Sequence, residues 1–501
     1  MAKRKKRNAL TMVFLLLALI LLIGIYLWYS NREDSSEESE EVTETIDLVT
    51  VDTEQLTSLH YIREDADLTL TLKDEVWISE EEPERPINQE YVEAMINAIK
   101  DVKADRIVME NPENLEDYGL ATPSATFIGT LQDGTTVTVK IGNAAGSSEG
   151  YYGLVNEDGI VYLLPIEMGT AFQYSDAQMT ALPETVDITA ENIYYIHVDH
   201  REGDDYELKY NDSGELDNSG SNNYTWDILK PYGKGYTADS SKMSDIQANY
   251  SGFNYISCID YKGEDLSLYG LENPIATIEI GYYKEKTQTL EEPETDSETG
   301  EEVTEKTIRE DHVYKVYLGD KDETGNYYVR IDGSSAVYTI GSSSVESMLT
   351  VDVFDIMNPY VLIPNIEQVD GISIDMAGTT YSMRIDRTTK EKEEGEEETV
   401  TSYYFDNKVV EEDQFKELYQ LLIATQYDAE IKEEVSTEGI EPVMTLTFHI
   451  SGGKTVSASF LPYNDSFNVV KKEDGTRFFV DKRKIDDIMD SVSNFVPDKT
   501  E

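Results

Sequence analysis

The residues best suited to bind a metal ion are His197, Asp199 and His200, which fall within four consecutive positions. Imidazole nitrogens and carboxylate oxygens are common ligands of zinc. The surrounding sequence is typical of a β-strand, in which His197 and Asp199 share one face while His200 points to the other. Because one ion could not contact all three side chains, we predict surface positions of a strand and no metal site.

Three glycine-containing segments resemble loops that bind phosphate or calcium. Residues 452–455 (Gly-Gly-Lys-Thr) match the end of a phosphate-binding loop, but Phe448 stands in the place of its first glycine and predicted strands flank it on both sides. Residues 156–159 and 473–475 contain Asp-Gly pairs without the ligand spacing of a calcium loop. We predict hairpin turns at all three places, with weak calcium binding by the acidic clusters as an alternative.

No set of residues stands out as a catalytic centre. The zinc-protease pattern His-Glu-x-x-His does not occur, and acidic pairs are too abundant for one to be singled out as a glycosidase pair. We therefore assign no catalytic, cofactor-binding or metal-binding residue and predict a protein that is not an enzyme. Cys258 is the single cysteine, which excludes an intrachain disulfide, and its apolar surroundings predict a buried position.

A twelve-residue pattern occurs at residues 115–126 and again at 266–277, so the chain contains a duplicated unit. Both copies read Leu-x-x-Tyr-Gly-Leu-x-x-Pro-x-Ala-Thr. A leucine before and another directly after the glycine are typical of a helix that ends in a Schellman motif, with the glycine in the left-handed conformation. We predict that Gly119 and Gly270 terminate short helices and that Leu120 packs against Leu115.

Helix and strand patterns flank both copies in the same order. A helical pattern precedes each glycine, and four strand candidates with hairpin turns follow it. A third, diverged copy surrounds Gly439. The predicted helices are 89–99, 240–250 and 413–423. The predicted strands are 125–131, 136–141, 150–155 and 160–164 in the first copy, 276–283, 313–318, 326–331 and 336–340 in the second, and 444–450, 455–460, 466–470 and 477–480 in the third.

These patterns predict an α+β fold with three tandem modules, each made of an antiparallel β-meander and a helix. The predicted module boundaries are residues 50–188, 189–362 and 363–501. The second module contains an acidic, threonine-rich segment, 284–311, that we interpret as a solvated loop insertion, because long surface insertions cost little free energy.

Equivalent aromatic residues in the first two modules predict a shared core. Trp77 and Trp226 each precede a predicted helix. They could stack on a ligand, but their repeated position favours core residues. The pairs 151–152 and 327–328 are both Tyr-Tyr on a strand, so one tyrosine of each pair should be buried, and the other could contribute to a binding surface.

The N-terminal sequence predicts a membrane anchor. Residues 1–8 are basic, and residues 9–29 hold no charged side chain, which is enough for a helix that spans a bilayer. The basic residues predict a cytoplasmic N-terminus and an extracytoplasmic remainder. A cleaved signal peptide is the alternative, but no small-x-small cleavage site follows. Residues 30–49 read as an acidic linker.

The formal net charge of −59 excludes some partners and favours others. Such a surface repels nucleic acid and anionic lipid headgroups, and it attracts cations. The acidic stretches 33–44, 291–305 and 390–398 cannot bury enough apolar surface to order themselves, so we predict linkers or loops there. Export without disulfides, together with this acidity, suggests a bacterial envelope.

The repeated residues resemble the domain-of-unknown-function 4340 family of bacterial proteins. The resemblance rests on the two tryptophans, the Tyr-Gly-Leu-x-x-Pro signatures at 118–123 and 269–274, the Ile-Gly or Leu-Gly at 141–142 and 318–319, and the Tyr-Tyr and Val-Tyr strands. It implies an exported repeat region behind an N-terminal membrane helix, associated with ABC-type export systems of the gliding-motility kind. It implies no catalytic residue, and the 284–311 segment departs from its pattern.

Two functions from different classes follow. The first is a membrane-anchored, extracytoplasmic interaction protein that acts as an auxiliary component of an ABC-type transport system, with a transporter permease as its partner. The alternative is a binding module or hydrolase for cell-envelope polymer that uses exposed tyrosines and carboxylates.

Overall fold

A computed structural model describes residues 45–146, 149–295, 302–391, 397–433 and 435–497. Within these ranges the chain forms three large antiparallel sheets and one small two-stranded sheet. The helices are few and short beside 27 strands. The fold is therefore mainly β.

The first sheet has eight strands in the order β4-β3-β2-β7-β8-β9-β10-β6, and the separate pair is β1 with β5. Two meanders, β2–β4 and β7–β10, meet at the pairing of β2 with β7, and β6 closes the far edge beside β10. The elements are β1 Ile46–Thr50, β2 Leu56–Arg63, β3 Ala66–Lys73, β4 Val76–Ser79, α1 Gln89–Lys100, β5 Asp101–Ala104, β6 Arg106–Glu110, β7 Ala125–Leu131, β8 Thr136–Gly146, β9 Gly150–Val155, β10 Ile160–Leu164 and α2 Ile166–Ala171.

Helix α1 begins where the sequence supplies a cap and buries one face. The Asn88 side chain accepts hydrogen bonds from the backbone N–H groups of Glu90 and Tyr91, which would otherwise lack a partner in the first turn. Val92, Met95 and Ile99 follow helical spacing and are fully buried in the core of the first sheet. The helix therefore covers one face of the sheet.

The second sheet repeats the same strand order as β13-β12-β11-β15-β16-β17-β18-β14. Asp239 caps the helix that precedes the signature turn of this copy. Its side chain accepts a hydrogen bond from the backbone N–H of Ser241. The elements are β11 Ile193–His200, β12 Tyr206–Tyr210, β13 Trp226–Lys230, α3 Ser240–Asn249, β14 Tyr255–Asp260, β15 Ala276–Thr295, β16 Glu302–Lys321, β17 Tyr327–Ile331, β18 Val337–Ile340, α4 Ser342–Leu349 and α5 Val353–Ile356.

The third sheet has nine strands in the order β22-β21-β20-β19-β24-β25-β26-β27-β23. This is the order of the other two sheets with one additional strand, β22, at one edge. The elements are β19 Val369–Met376, β20 Thr379–Glu391, β21 Glu397–Phe405, β22 Lys408–Val410, α6 Glu412–Ile423, β23 Ala429–Glu430, β24 Met444–Ile450, β25 Lys454–Pro462, β26 Phe467–Lys472, β27 Gly475–Asp481 and α7 Lys482–Ser493.

The described residues divide into two compact units, one up to Ala181 and one from Leu182 onward. In the second unit the second and third sheets share a continuous core. Phe478 of β27 lies at its centre and is 2 % exposed. Its ring is surrounded by those of Tyr232, Tyr236, Phe354 and Tyr427, at centroid distances of 5.1, 5.6, 5.8 and 4.5 Å.

The predicted fold class, α+β with an N-terminal transmembrane helix, was wrong. Each large sheet has eight or nine strands instead of four, because the sequence prediction missed the strands that precede the helix and the short strand that follows it. β3 could have been found, since Leu68 and Leu70 are buried between the outward Asp67, Thr69 and Thr71 in strict alternation. None of the helices among the described residues has the length and apolar character needed to cross a membrane, and residues 9–29 lie outside those residues.

The segment 284–311 was predicted as a solvated loop insertion, but its described residues, 284–295 and 302–311, are strands. It continues β15 and β16 as a hairpin arm, which pairs from Lys284 with Glu310 through Thr289 with Glu305 and again at Glu294 with Val303. Near the root of the arm, the Arg309 guanidinium lies 4.1 Å from the ring centroid of Tyr283 and 4.7 Å from that of Tyr194. Strand pairing satisfies the inward-facing backbone groups of the described arm, although most of its described side chains are exposed.

Candidate functional site

The signature turns have the geometry that the sequence predicts. Gly119 has φ 68° and ψ 18°, and Gly270 has φ 69° and ψ 11°, both left-handed. The Leu120 N–H donates to the Leu115 carbonyl at 3.0 Å, and the Leu271 N–H donates to the Leu266 carbonyl at 2.9 Å. These are the six-to-one bonds of a Schellman motif, so both glycines terminate a 3₁₀ turn as predicted.

A second glycine in each copy allows the capped turn to pack against the sheet. A Cβ on Gly142 would collide with the Tyr118 carbonyl, and a Cβ on Gly319 would collide with the Tyr269 carbonyl. Gly142 and Gly319 correspond to one another in the repeat. The Tyr-Gly-Leu signature and the later Ile-Gly or Leu-Gly are therefore two sides of one backbone contact.

The second tyrosine of each Tyr-Tyr pair packs on the signature turn. Tyr152 lies edge-on to Tyr118 with ring centroids 5.2 Å apart, and Tyr328 lies edge-on to Tyr269 at 5.1 Å. In the second pair Tyr327 is buried, as predicted, whereas in the first pair both tyrosines are half-buried. The signature tyrosines thus stabilise the turn instead of forming an open binding surface.

The third copy keeps the glycine but not the cap. Gly439 has φ 73°, yet Ile440 is 37 % exposed, whereas Leu120 and Leu271 are 3 % exposed. In the part of the chain that the structure describes, no helical turn precedes Gly439. This turn is therefore a degenerate version of the other two.

The candidate metal ligands do not converge. His197 Nε2 lies 3.1 Å from Lys230 Nζ on one face of β11, whereas His200 Nε2 lies 3.1 Å from the Leu349 carbonyl on the other face. Asp199 is exposed. Among the described residues no group of three or more histidine, cysteine or acidic side chains could hold a metal ion.

Other predicted features lie in structural positions. Gly452 and Gly453 form the hairpin turn between β24 and β25, with φ 85° and 81°. Trp226 is 4 % exposed and Cys258 is 1 % exposed, so both are core residues, as predicted. Trp77 is half-buried against the first core, and Gln89 bonds both its backbone groups at 2.9 Å.

Two further sequence patterns resemble hydrolase motifs and were not recognised among the candidates above. Residues 146–150 read Gly-Ser-Ser-Glu-Gly, which fits Gly-x-Ser-x-Gly, but Gly146 ends strand β8 and Gly150 begins strand β9, whereas the motif needs a helix after its serine. Ser451 and Lys454 fit Ser-x-x-Lys. The Ser451 hydroxyl, however, donates to the Asp370 carboxylate at 2.7 Å. The pattern from Ser451 to Lys454 also spans a hairpin turn. Neither pattern has the context that its chemistry needs.

The structural feature that the sequence did not reveal is a cleft beside a buried lysine. It lies in the second unit between the loop that follows β12 and the hairpins of β25–β27, and it is an open depression with a volume of about 630 Å³. Lys472 forms part of its floor and is 9 % exposed. Its Nζ donates to the carbonyls of Asn218 at 2.8 Å and Val361 at 2.6 Å, so one ammonium group joins β26 to two segments outside the third sheet.

Burial lowers the pKa of Lys472 to about 8, and the nearby carboxylates of Asp217 and Asp474 oppose this shift. Burial also raises the pKa of Tyr427, whose ring centroid lies 5.7 Å from the ammonium. A lysine whose charge is only partly compensated is uncommon in a protein interior. Lys472 in the sequence Lys-Lys-Glu-Asp-Gly carries no sign of this burial, because the partners come from residues more than 100 positions away.

Comparisons with known proteins identify a family. The family model described as a domain of unknown function, DUF4340, matches residues 77–255 and again residues 226–437. A search of curated proteins found no match, and a search of solved structures found none either. The two matches fall on the two copies of the signature turn, which agrees with the duplicated sheets.

Proposed function

Because the chain belongs to the DUF4340 family, we propose that it is a non-enzymatic interaction protein that acts as an auxiliary component of an ABC-type transport system. The proposed place at the cell envelope rests on the sequence of the first 29 residues and on the family resemblance. The observation that supports a binding role is the open edge strand that follows the helix in each of the first two sheets, β6 and β14.

Strand β6 is the clearest of these edges. It pairs with β10 on one side only, so the outer N–H and C=O groups of Arg106–Glu110 face away from the sheet. Ile107 is 42 % exposed and Met109 is 45 % exposed, and a register shift lies between them, so the edge presents one apolar side chain on each face. An exposed edge with apolar side chains favours pairing with another strand.

Strand β14 occupies the same position in the second sheet. It pairs only with β18, and Ile256 and Ile259 are exposed. Register shifts interrupt this pairing at two places, whereas the β6 pairing has one. Since bulges protect an edge from pairing, β6 is the better docking strand.

The occupant that fits β6 is an extended segment of a partner protein that carries both apolar and basic residues. The apolar residues would cover Ile107 and Met109, and the basic residues suit a chain with a net charge of −59. The same charge opposes association of two copies of this chain.

Site-specific photo-crosslinking in intact cells tests the proposal. A photoreactive residue at Ile107 should crosslink to a membrane transport protein, whereas one at Leu72, which is equally exposed at 42 % but lies on β3, should not. Equal yields at both positions, or crosslinks only between copies of this chain, would contradict it. Pelleting with purified wall material, without any protein crosslink, would favour the envelope-polymer alternative.

A further inference from the structure

The outer face of the third sheet carries three neighbouring aromatic side chains, Tyr463, Phe467 and Phe479, which we call the aromatic patch. Phe467 and Phe479 lie on the face of β26 and β27 opposite to Phe478, and Tyr463 belongs to the loop between β25 and β26. The centroid of the Phe479 ring lies 4.8 Å from that of Tyr463 and 5.9 Å from that of Phe467. Tyr463 is 50 % exposed, so the patch reaches solvent.

In the first two copies the corresponding position is buried. Phe479 stands three positions before the helix that follows the third sheet, as Leu163 and Thr339 do in the first and second copies. Leu163 and Thr339 are buried, whereas Phe479 is half-buried. The cross-strand partners of these three residues are, in the order of the copies, Tyr152, Tyr328 and Val469. The signature turn packs on the two tyrosines, so in those copies the chain covers this face itself.

The third copy cannot place its turn there in the same way, because Leu461 replaces the second glycine. Leu461 follows Phe460 on β25, in the place that Gly319 takes after Leu318 on β16. A Cβ at Gly319 would already collide with the carbonyl of the signature turn. The side chain of Leu461 therefore keeps a turn from approaching the sheet as closely as in the other copies.

We propose that the aromatic patch binds a segment of a partner protein that presents aromatic or leucine side chains with basic residues beside them. The chain itself shows that such side chains fit this face, since Tyr118 and Leu120 of the signature turn cover it in the first copy. The basic residues follow from charge complementarity. Asp465 is exposed beside Tyr463 without an ion pair to any residue that the structure describes, and the whole chain carries a net charge of −59.

Hydrogen bonds hold the loop of Tyr463 in one conformation. The N–H groups of Tyr463 and Asn464 both donate to the Phe467 carbonyl at 3.2 Å. The Asn464 side chain accepts from the N–H groups of Ser466 and Phe467 at 2.8 and 2.9 Å. Aromatic side chains on an ordered loop lose little conformational entropy when a partner binds, which suits them to anchor an interface.

The shape of the patch favours a polypeptide over a sugar polymer. The rings of Tyr463 and Phe467 are tilted by 35° and 47° from the ring of Phe479. They therefore offer no flat surface on which a sugar ring could stack, whereas side chains of a polypeptide can pack between tilted rings. The patch is also separate from the β6 edge, since it lies in the second compact unit and β6 lies in the first.

Site-specific photo-crosslinking of the full chain in intact cells tests this inference. A photoreactive phenylalanine derivative at Tyr463 should crosslink to another protein. Phe479→Ser should lower the yield about tenfold, because it removes the central ring, and Phe479→Tyr should restore it. The control position is Tyr210, which is 40 % exposed on β12 and should give no crosslink. Ile107→Lys, which alters the β6 edge, should leave the yield at Tyr463 unchanged.

Several results would overturn the inference: no protein crosslink at Tyr463, equal yields at Tyr463 and Tyr210, or a yield that Phe479→Ser does not change. Crosslinks only between copies of this chain, or pelleting with purified wall material that Phe479→Ser abolishes, would also overturn it. A yield at Tyr463 that falls with Ile107→Lys would show that the patch is not a separate surface. Failure at Tyr463 with an intact crosslink at Ile107 would leave the proposed function standing.

Circular dichroism and thermal unfolding of Phe479→Ser exclude a folding defect as the cause of a lost crosslink. Phe479 lies outside the core that the second and third sheets share, so the variant should keep the spectrum of the wild type and a cooperative transition. Phe467→Ser removes a different ring of the patch and should lower the yield in the same direction. A loss with Phe479→Ser alone, together with a changed spectrum, would overturn the inference.

Discussion

Gly270 couples a backbone conformation to a packing contact. Its left-handed φ of 69° disfavours any residue with a Cβ, and the added atom would also meet the Asp320 backbone nitrogen at 2.8 Å. The residue thus satisfies two independent requirements, which explains why glycine stands at both copies of the turn.

Gly270→Ala should therefore lower the free energy of unfolding by about 2–4 kcal/mol, the sum of backbone strain and overpacking. The matched control is Gly325→Ala, which has φ 90° but no atom within 4 Å of the added Cβ, and it should cost only about 1–2 kcal/mol. Urea denaturation measures both values. Equal losses would show that packing against Asp320 contributes nothing.

Lys472 makes stability depend on pH. Its pKa in the folded protein is about 8, below the ordinary 10.5, so the unfolded chain holds the proton more tightly. Between these two values the unfolded state binds more protons, and stability rises with pH. The resulting gain in the free energy of unfolding should reach at most about 3 kcal/mol. Below pH 8 there should be no such gain.

The measurement compares the wild type with Lys472→Met from pH 7 to pH 10, and uses Lys471→Met, an exposed neighbour on the same strand, as the control. The stability of the wild type should rise relative to Lys472→Met above pH 8, whereas the difference from Lys471→Met should stay constant. A difference from Lys472→Met that does not change with pH would disprove the burial of a depressed amine.

At the scale of elements, the sequence predicts the second half of each sheet well and the first half poorly. The predicted strands 125–131, 150–155, 160–164 and 444–450 agree with the structure residue for residue, because hairpin turns and alternating apolar residues mark them. The first strands of each sheet lie far in sequence from β7, β15 and β24, with which they make the central pairing, so no turn signal announces that contact.

For the same reason, the cleft could not be predicted from the sequence. Lys472, Asn218 and Val361 come from three separate segments, and only the packing of the second sheet against the third brings them together. Local patterns specify turns, caps and buried faces, whereas a site made by long-range packing leaves no spacing to recognise. The signature residues were readable because they recur in two copies and because each turn is closed by a local hydrogen bond, Leu120 to Leu115 and Leu271 to Leu266.

Strand β27 links two sheets through Phe478. Phe478→Ala should lower the free energy of unfolding of the second unit by about 3–5 kcal/mol, because the ring fills the core that both sheets share. Phe479→Ala is the matched control, since Phe479 is half-buried on the other face beside Tyr463 and should cost distinctly less. A larger loss for Phe479→Ala would show that the shared core lies on the face of β27 that carries Phe479, not on that of Phe478.

At the scale of the whole molecule, the first unit has a core of its own. The buried residues of its sheet form clusters that contain no residue beyond Ala181. A fragment of residues 45–181 should therefore fold alone and unfold in one cooperative transition in circular dichroism. A fragment without a cooperative transition would show that this core depends on the rest of the chain.

The central claim is that the repeated signature residues build a scaffold and that an edge of this scaffold binds a partner. The most direct measurement is the crosslinking yield of a photoreactive residue at Met109 with and without Ile107→Lys. A lysine at this position would be buried only when the partner strand binds, so it would oppose an apolar partner. It would leave the fold intact, because Ile107 is exposed in the chain alone. We predict at least about a tenfold lower yield with an unchanged unfolding midpoint. An unchanged yield would contradict the claim.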